Sequence, residues 1–117
     1  MNIEVFRDYC IKKPGVTEEF PFDNTTLVFK VGGKIFALTD IENFTSINLK
    51  CDPEKALEYR ETFSAVLPGY HMNKKHWNTI LINGTINSKL LHQWIDDSYL
   101  LVFEKLNKII KKNINQL

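Results

Sequence analysis

Hydrophobic and polar positions recur along the chain with two periods, one typical of helices and the other of strands. Near the start, Ile3, Phe6 and Cys10 are spaced i, i+3 and i+7, which predicts a short amphipathic helix. This helix is expected to end at residues 12–15, where two lysines are followed by proline and glycine. Residues 26–31 and 34–39 are rich in β-branched and aromatic side chains. The two glycines between them predict a β-hairpin with a two-residue turn.

The register of this hairpin follows from its turn. Pairing Val31 with Lys34 places Phe29 opposite Phe36 and, two positions further along, one leucine opposite another. We therefore expect an aromatic pair and a leucine pair on one face of the hairpin.

The next segments predict a half-buried strand, a helix and a further strand. In residues 46–51 apolar and polar side chains alternate, so that Asn48 and Lys50 lie on the polar face of the strand. Asp52 and Pro53 are typical of an N-cap and a first helical residue, and a second helix is expected to begin there. Residues 77–82 predict another strand, and the pattern leaves open whether residues 66–70 pair with it.

The C-terminal part of the chain has helical periodicity from about residue 88 onward. The apolar positions recur over roughly 25 residues, which predicts one long terminal helix. Its lysine-rich end, after about residue 110, is expected to fray. Because short antiparallel strands are combined with helices that can cover one sheet face, the predicted fold class is α+β. A chain of 117 residues is expected to form a single domain, residues 1–117.

The composition is that of an ordinary globular domain. With 44% hydrophobic residues, 25% charged residues and a net charge of +1, the chain is neither disordered nor a strongly basic coat protein for nucleic acid. Its two cysteines, Cys10 and Cys51, have no CxxC spacing, so neither a disulfide framework nor a zinc site is expected. An acidic residue at position 4 and the lack of a long apolar run favour a cytoplasmic protein with no membrane partner.

Four segments together form a recognisable signature. They are PGVTEEFPF (residues 14–22), LVFKVGGKIFAL (27–38), NLKCDPE (48–54) and PGYHMNKKHWNT (68–79). In this order they resemble the YjbR/MmcQ-like family of small bacterial proteins. The resemblance implies a two-layer sandwich similar to the frataxin-like (CyaY-like) arrangement, with helices on one face of an antiparallel sheet. It also implies DNA binding through a double-wing arrangement of β-hairpins, without an established enzymatic activity.

The last of these segments lies in a stretch without acidic residues, from residue 62 to residue 95. Residues 1–61 have eight basic and eleven acidic side chains, a net charge of −3, whereas residues 62–117 have seven and three, a net charge of +4. Lysines here can neutralise phosphates, aromatic rings can stack on bases, and asparagines can hydrogen-bond base edges or sugars. The candidate contact residues are Asn48, Lys50, Tyr70, His71, Asn73, Lys74, Lys75, His76, Trp77 and Asn78.

These residues also have a purely structural explanation, in which Tyr70 and Trp77 pack in the core and the lysines belong to a solvated turn. A small molecule or an acidic protein is the alternative ligand for the same polar cluster. His71 and His76 are five residues apart, which does not fit metal ligation on a helix, and Cys51 on an apolar strand face is expected to be inert. We therefore predict a monomeric, non-enzymatic binding protein without metal or cofactor. DNA, bound with modest affinity, is its leading ligand.

Overall fold

The computed structural model describes residues 1–69 and 72–116 of the chain, and these residues contain four helices and six strands. In chain order they are α1 (Ile3–Ile11), β1 (Val16–Glu19), β2 (Thr26–Val31), β3 (Lys34–Asp40), β4 (Ser46–Lys50), α2 (Pro53–Thr62), β5 (Val66–Pro68), β6 (Trp77–Leu81), α3 (Ser88–Glu104) and α4 (Lys108–Asn115). The strands form one antiparallel sheet in the order β1-β2-β3-β4-β6-β5. The predicted α+β class is therefore confirmed, and the segment left open by the pattern pairs with β6 as the edge strand β5.

Each helix begins after an asparagine or aspartate whose side-chain oxygen accepts hydrogen bonds from the first turn. Asn2 caps α1, Asp52 caps α2, Asn87 caps α3 and Asn107 caps α4. These side chains satisfy backbone amides that have no partner within the helix. None of the helices in the described ranges is long and apolar enough to cross a lipid bilayer.

The helices pack on one face of the sheet and enclose the main core. Phe6 of α1 and Ile95 of α3 are fully buried with strand residues of this face, among them Phe29 and Ile47. The rings of Phe6 and Phe29 meet edge to face, with centroids 5.6 Å apart. The sheet and its helices thus form the two layers of the fold.

A buried serine links α3 to β3 and β4, the two middle strands of the sheet. The Ser98 hydroxyl donates to the Phe36 carbonyl oxygen of β3 at 2.6 Å and accepts from the Lys50 amide of β4 at 2.9 Å. Ser98 is fully buried, and an unpaired hydroxyl there would be costly. The C-terminal half of α3 is therefore held over the ends of β3 and β4.

A second, smaller hydrophobic cluster lies on the opposite face of the sheet. It consists of Val28, Leu38 and Trp77, with the partly buried Ile35 and Met72 packed against it. The neighbours of Val28 on β2 belong to the main core, so the alternation of side chains along the strand places Val28 on the other face. Met72, in the connection between β5 and β6, thus packs on the face that the helices leave open.

The hairpin of β2 and β3 departs from the predicted register. Its turn is as expected, but the register shifts between Phe29 and Lys30, so Phe29 is opposite Ala37. The predicted pairing of Phe29 with Phe36 was wrong, and so was the leucine pairing. The cause is a β-bulge that inserts Phe36 as an extra residue. It allows Phe36 and Ala37 both to reach the main core, whereas a regular strand would direct them to opposite faces.

The predicted long C-terminal helix is divided into two. α3 ends at Glu104, the chain turns through residues 105–107, and α4 begins after its cap, Asn107. Residues after 110, which were expected to fray, continue α4 to Asn115. Ile114 of this helix is buried, and its side chain lies where a Cβ on Gly15 would meet it at 2.9 Å. The break redirects the chain so that the apolar side of α4 packs on the sheet end.

Replacing Gly32 with alanine is expected to destabilise the protein more than replacing Gly33. Both glycines have positive φ, 57° and 81°, where a residue with a Cβ is strained by about 1–2 kcal/mol. A Cβ at Gly32 would also lie 2.6 Å from Leu106 Cδ1 and 3.0 Å from Ile110, whereas one at Gly33 would meet nothing within 4 Å. Urea unfolding of the two variants should differ by about 1 kcal/mol or more. Equal losses would show that α4 does not pack on this turn.

Candidate functional site

The signature segment forms the end of an antiparallel hairpin at the sheet edge. Residues 69–76 connect β5 to β6, and we call this connection the β5–β6 loop. The Gly69 amide donates to the Trp77 carbonyl oxygen at 2.9 Å, which closes the hairpin. Glycine is required here because a Cβ at position 69 would lie 2.8 Å from Trp77 Cβ and 3.0 Å from the Trp77 carbonyl oxygen.

Local hydrogen bonds shape the exposed part of this loop. The Asn73 side-chain oxygen accepts from the Lys75 amide at 2.9 Å, and the Asn73 carbonyl oxygen accepts from the His76 amide at 3.2 Å. The first of these hydrogen bonds forms an Asx turn, which fixes the backbone of residues 73–75. Asn73, Lys74 and Lys75 are exposed and His76 is half-buried. The loop thus presents two neighbouring lysines to solvent.

Arg60 of α2 forms hydrogen bonds with the loop and with the start of β6. Its Nε donates to Asn78 Oδ1 at 2.7 Å, and its Nη2 donates to the carbonyl oxygens of Trp77, at 3.2 Å, and of Lys74. The Asn78 side-chain amide in turn donates to the Ala56 carbonyl oxygen of α2 at 3.3 Å. Asn78 was expected to contact a ligand. It is only 2% exposed and bound on both sides by α2, so its amide is not available to a base or a sugar.

Trp77 lies inside the protein rather than on its surface. It is the first residue of β6, it is 6% exposed, and it packs with Val28 and Leu38. A ring that stacks on a nucleobase must expose one of its faces. The base-stacking hypothesis for Trp77 therefore does not fit this position, whereas the structural explanation does.

Asn48 lies on the open face of β4, as the alternation predicted, whereas Lys50, the last residue of the strand, borders both that face and the side covered by α2 and α3. Asn48 is opposite Thr79, whose hydroxyl donates to Asn48 Oδ1 at 2.6 Å. Lys50 is opposite the first residue of β6, and the next amide along the chain, that of Cys51, donates to the His76 carbonyl oxygen at 2.7 Å. Lys50 thus lies beside the β5–β6 loop, while Asn48 is two residue pairs further from it and already has a partner.

Antiparallel pairing brings other lysines to the same end of the sheet. The β2–β3 turn, the end of β4 and the start of β6 lie side by side, so Lys34 and Lys50 share this end with the two loop lysines. Burial lowers the pKa of Lys50, and the nearby charges of Lys105 and Lys34 lower this pKa further. We call Lys34, Lys50, Lys74, Lys75 and Lys105 the lysine end.

Sequence reasoning found only part of this surface. Lys34 was predicted as the first residue of a strand and Lys105 as part of the terminal helix, and neither was named as a contact residue, although the predicted antiparallel pairing of the strands already implied that Lys34 and Lys50 share one end. No local signal identified Arg60, whose partners lie 14 to 18 residues further along the chain. Two predicted contact residues, Tyr70 and His71, lie outside the described residues.

Residues 1–69 and 72–116 contain neither a metal centre nor an activated thiol. No group of three or more histidine, cysteine, aspartate or glutamate side chains there could hold a metal ion. Burial, with a smaller contribution from Asp52, raises the pKa of the Cys51 thiol to about 11, and burial also raises the pKa of Cys10. Both thiols are therefore protonated near neutral pH, the form that is a poor nucleophile.

A separate polar cluster joins the end of α1 to α3. The Tyr9 hydroxyl donates to both carboxylate oxygens of Asp96, at 2.8 and 2.9 Å, and Lys13 forms an ion pair with the same carboxylate. The ring of His92 stacks on that of Tyr9, with centroids 4.2 Å apart. Burial and the hydrogen bond to Asp96 raise the pKa of Tyr9 to about 12, so the phenol stays protonated and the cluster serves to orient two helices.

Comparison with known proteins decides the family. A sequence model named YjbR matches residues 11–101, which include both hairpins and the β5–β6 loop. This chain belongs to the YjbR family. The uncharacterized protein YbdF of Escherichia coli O157:H7 is 38% identical to it, over 95% of this chain and 92% of that one. The uncharacterized protein YjbR of Escherichia coli K12 is 31% identical over the full length of both chains.

Solved structures of relatives have the same fold. A crystal structure of the Deinococcus radiodurans protein DR2400, with a DUF419 domain, is similar to the chain with a TM-score of 0.91 and 40% identity, over 97% of this chain and 88% of that one. A crystal structure of a Pseudomonas syringae protein is similar with a TM-score of 0.72 and 32% identity, over 87% and 99%. These structural similarities support the α+β assignment, while the similarity to the frataxin-like arrangement stays a prediction.

Proposed function

We propose that this YjbR-family protein is a non-enzymatic DNA-binding module that contacts the phosphate backbone through its lysine end. One observation carries the proposal. The antiparallel register places the tips of two hairpins, the β2–β3 turn and the β5–β6 loop, on either side of Lys50, and each tip has exposed lysine. Positive charge from distant parts of the sequence is thereby gathered at one end of a rigid sheet.

The expected mode of binding is electrostatic and depends little on base sequence. Lysine ammonium groups donate to phosphate oxygens and displace condensed counterions, which gives a logarithmic salt slope of about −0.9 for each phosphate contacted. Two or three contacts therefore correspond to a slope of about −2 to −3 and to modest affinity. Because Trp77 is buried, stacking of that ring on bases is not part of the mechanism.

Replacing both loop lysines, Lys74→Ala with Lys75→Ala, is expected to weaken binding to a short DNA duplex. The slope of log K against log salt concentration should become less negative by about 2, since two phosphate contacts are lost. Fluorescence anisotropy at several salt concentrations measures both quantities. Both side chains are exposed, so the melting temperature should stay close to that of the parent.

Two controls separate loss of a contact from loss of charge in general. The pair Lys74→Arg with Lys75→Arg keeps both charges and should retain binding. Lys89→Ala removes an exposed lysine from the first turn of α3, at the opposite end of that helix from Lys105, and should have little effect. Equal binding by the double alanine variant and the parent, or unfolding of that variant, would contradict the proposed surface.

A further inference from the structure

A cleft of about 330 Å³ lies on the helix-covered side of the sheet, between α2 and α3. Its floor is apolar and includes Leu49 and Ile80 of the sheet and Trp94 of α3. The two helices contact each other beside it, where Tyr59 stacks on Trp94 with ring centroids 4.8 Å apart. Leu100 lines the cleft from α3 and is 50% exposed, so the cleft opens to solvent. Small-molecule sites have volumes of about 300–1,000 Å³, and this cleft is at the lower end of that range.

Three lysines line the same cleft. They are Lys50 at the end of β4, Lys55 in the first turn of α2, and Lys105 directly after α3. Within the described ranges, none of the ion pairs involves any of these three side chains. Burial lowers the pKa of Lys50, and the charge of Lys105 lowers it further. An anion bound between Lys50 and Lys105 would relieve this repulsion.

The acidic residues that line the cleft already have partners. Asp52 caps α2 through its side-chain oxygen. Asp97 accepts from the Gln93 side-chain amide at 2.9 Å, and Glu104 forms an ion pair with Lys111 at 3.6 Å. Of these three acids only Glu104 is paired with a cation, so the described lining has three lysines against two carboxylates without a cationic partner, a small excess of positive charge.

We propose that this cleft binds a small amphipathic carboxylate, a molecule with one apolar chain or ring and one carboxylate group. Its apolar part packs on Leu49 and Trp94, and its carboxylate lies between Lys50 and Lys105. The small volume of the cleft favours a compact head group of this kind. The site goes beyond the proposed function: it shares Lys50 and Lys105 with the lysine end, but neither of the loop lysines lines it.

Decanoate is a suitable probe, and decyltrimethylammonium, which has the same chain and the opposite charge, is its control. Trp94 lines the cleft, whereas Trp77 is on the other face of the sheet, so tryptophan fluorescence of the Trp77→Phe variant reports the cleft alone. Decanoate is expected to bind saturably with one site per chain and about tenfold or more tighter than decyltrimethylammonium. Failure to saturate, or equal binding of the two amphiphiles, would overturn the proposal.

Two exposed leucines provide matched variants that should both fold. Leu100→Glu places a carboxylate at the cleft and is expected to weaken decanoate binding by about tenfold or more. Leu57 is 57% exposed on α2 and does not line the cleft, so Leu57→Glu should leave binding unchanged. Lys105→Ala should also weaken binding. Equal weakening by the two glutamate variants would locate decanoate elsewhere and overturn the assignment.

The DNA and carboxylate sites share Lys50 and Lys105, but the loop lysines distinguish them experimentally. The pair Lys74→Ala with Lys75→Ala is expected to keep the decanoate affinity of the parent, because neither residue lines the cleft. Loss of decanoate binding in this variant would show that the probe binds the loop rather than the cleft. If DNA does not bind the parent while decanoate does, the carboxylate site stands and the proposed DNA-binding function falls.

Discussion

Trp77→Ala is expected to lower the free energy of unfolding by about 3–5 kcal/mol, the range measured for large aromatic residues removed from a core. The ring is 6% exposed and is the largest member of the cluster on the open face of the sheet. Removing it would leave a cavity beside Val28 and Leu38 and would remove part of the surface on which Met72 packs. The loss should therefore include the packing of the β5–β6 loop on the sheet as well as the transfer of the indole from water.

Urea unfolding followed by circular dichroism measures this loss, and Trp77→Phe is the matched control. Phenylalanine keeps an aromatic ring in the cluster and should cost much less than alanine. DNA affinity of any folded fraction should change little, because the indole does not reach the surface. A Trp77→Ala variant that is as stable as the parent but binds DNA weakly would show instead that the ring stacks on bases.

Local sequence patterns were sufficient for the elements of the fold that depend on neighbouring residues. The Gly32 and Gly33 turn, the alternation along β4 and the Asp52 cap each occur where the sequence predicted them. The bulge at Phe36 was missed because it does not alter the local alternation of residue types. It follows from the shape of the core, which accommodates Phe36 and its neighbour on the same side.

The helix break before α4 was missed for a similar reason. Apolar positions keep helical spacing through residues 105–107, and only Asn107 gives a local sign of a new N-terminus. The partner that favours the break is the β2–β3 turn, far away in the sequence, where Gly32 makes room for Leu106 and Ile110. Packing between distant segments thus decides where the helical pattern is interrupted.

For the candidate site, the sequence identified the correct loop but not the role of each residue in it. The exposed lysines were recognisable from charge alone. The burial of Asn78 was not, because a polar residue can be buried only if partners are supplied, and its partners Arg60 and Ala56 come from α2. Arg60 also donates to the Lys74 carbonyl oxygen, so α2 holds this part of the loop in a way that a charge pattern by itself does not reveal.

Arg60→Met is expected to destabilise the protein by about 2–3 kcal/mol and to free the β5–β6 loop from α2. Methionine retains much of the length and apolar stem of arginine but none of its donors. The variant would lose the hydrogen bonds to Asn78 Oδ1 and to the carbonyl oxygens of Trp77 and Lys74. Asn78 is buried, so its Oδ1 atom would be left without a partner and without water, which is the costly part of the change.

Amide hydrogen exchange resolves the effect on the loop from the effect on the whole fold. In Arg60→Met, the amides of His76 and of the first β6 residues should exchange faster than the overall loss of stability accounts for. Arg7→Met is the matched control. Arg7 also donates two side-chain hydrogen bonds, both to Glu18, but it does so on the exposed surface. It should cause little loss of stability and no change in loop exchange. Uniformly faster exchange throughout the sheet in Arg60→Met would show that Arg60 supports the core rather than the loop. DNA affinity should fall in Arg60→Met if the two loop lysines need a fixed backbone to meet successive phosphates, because a mobile loop must be ordered on binding.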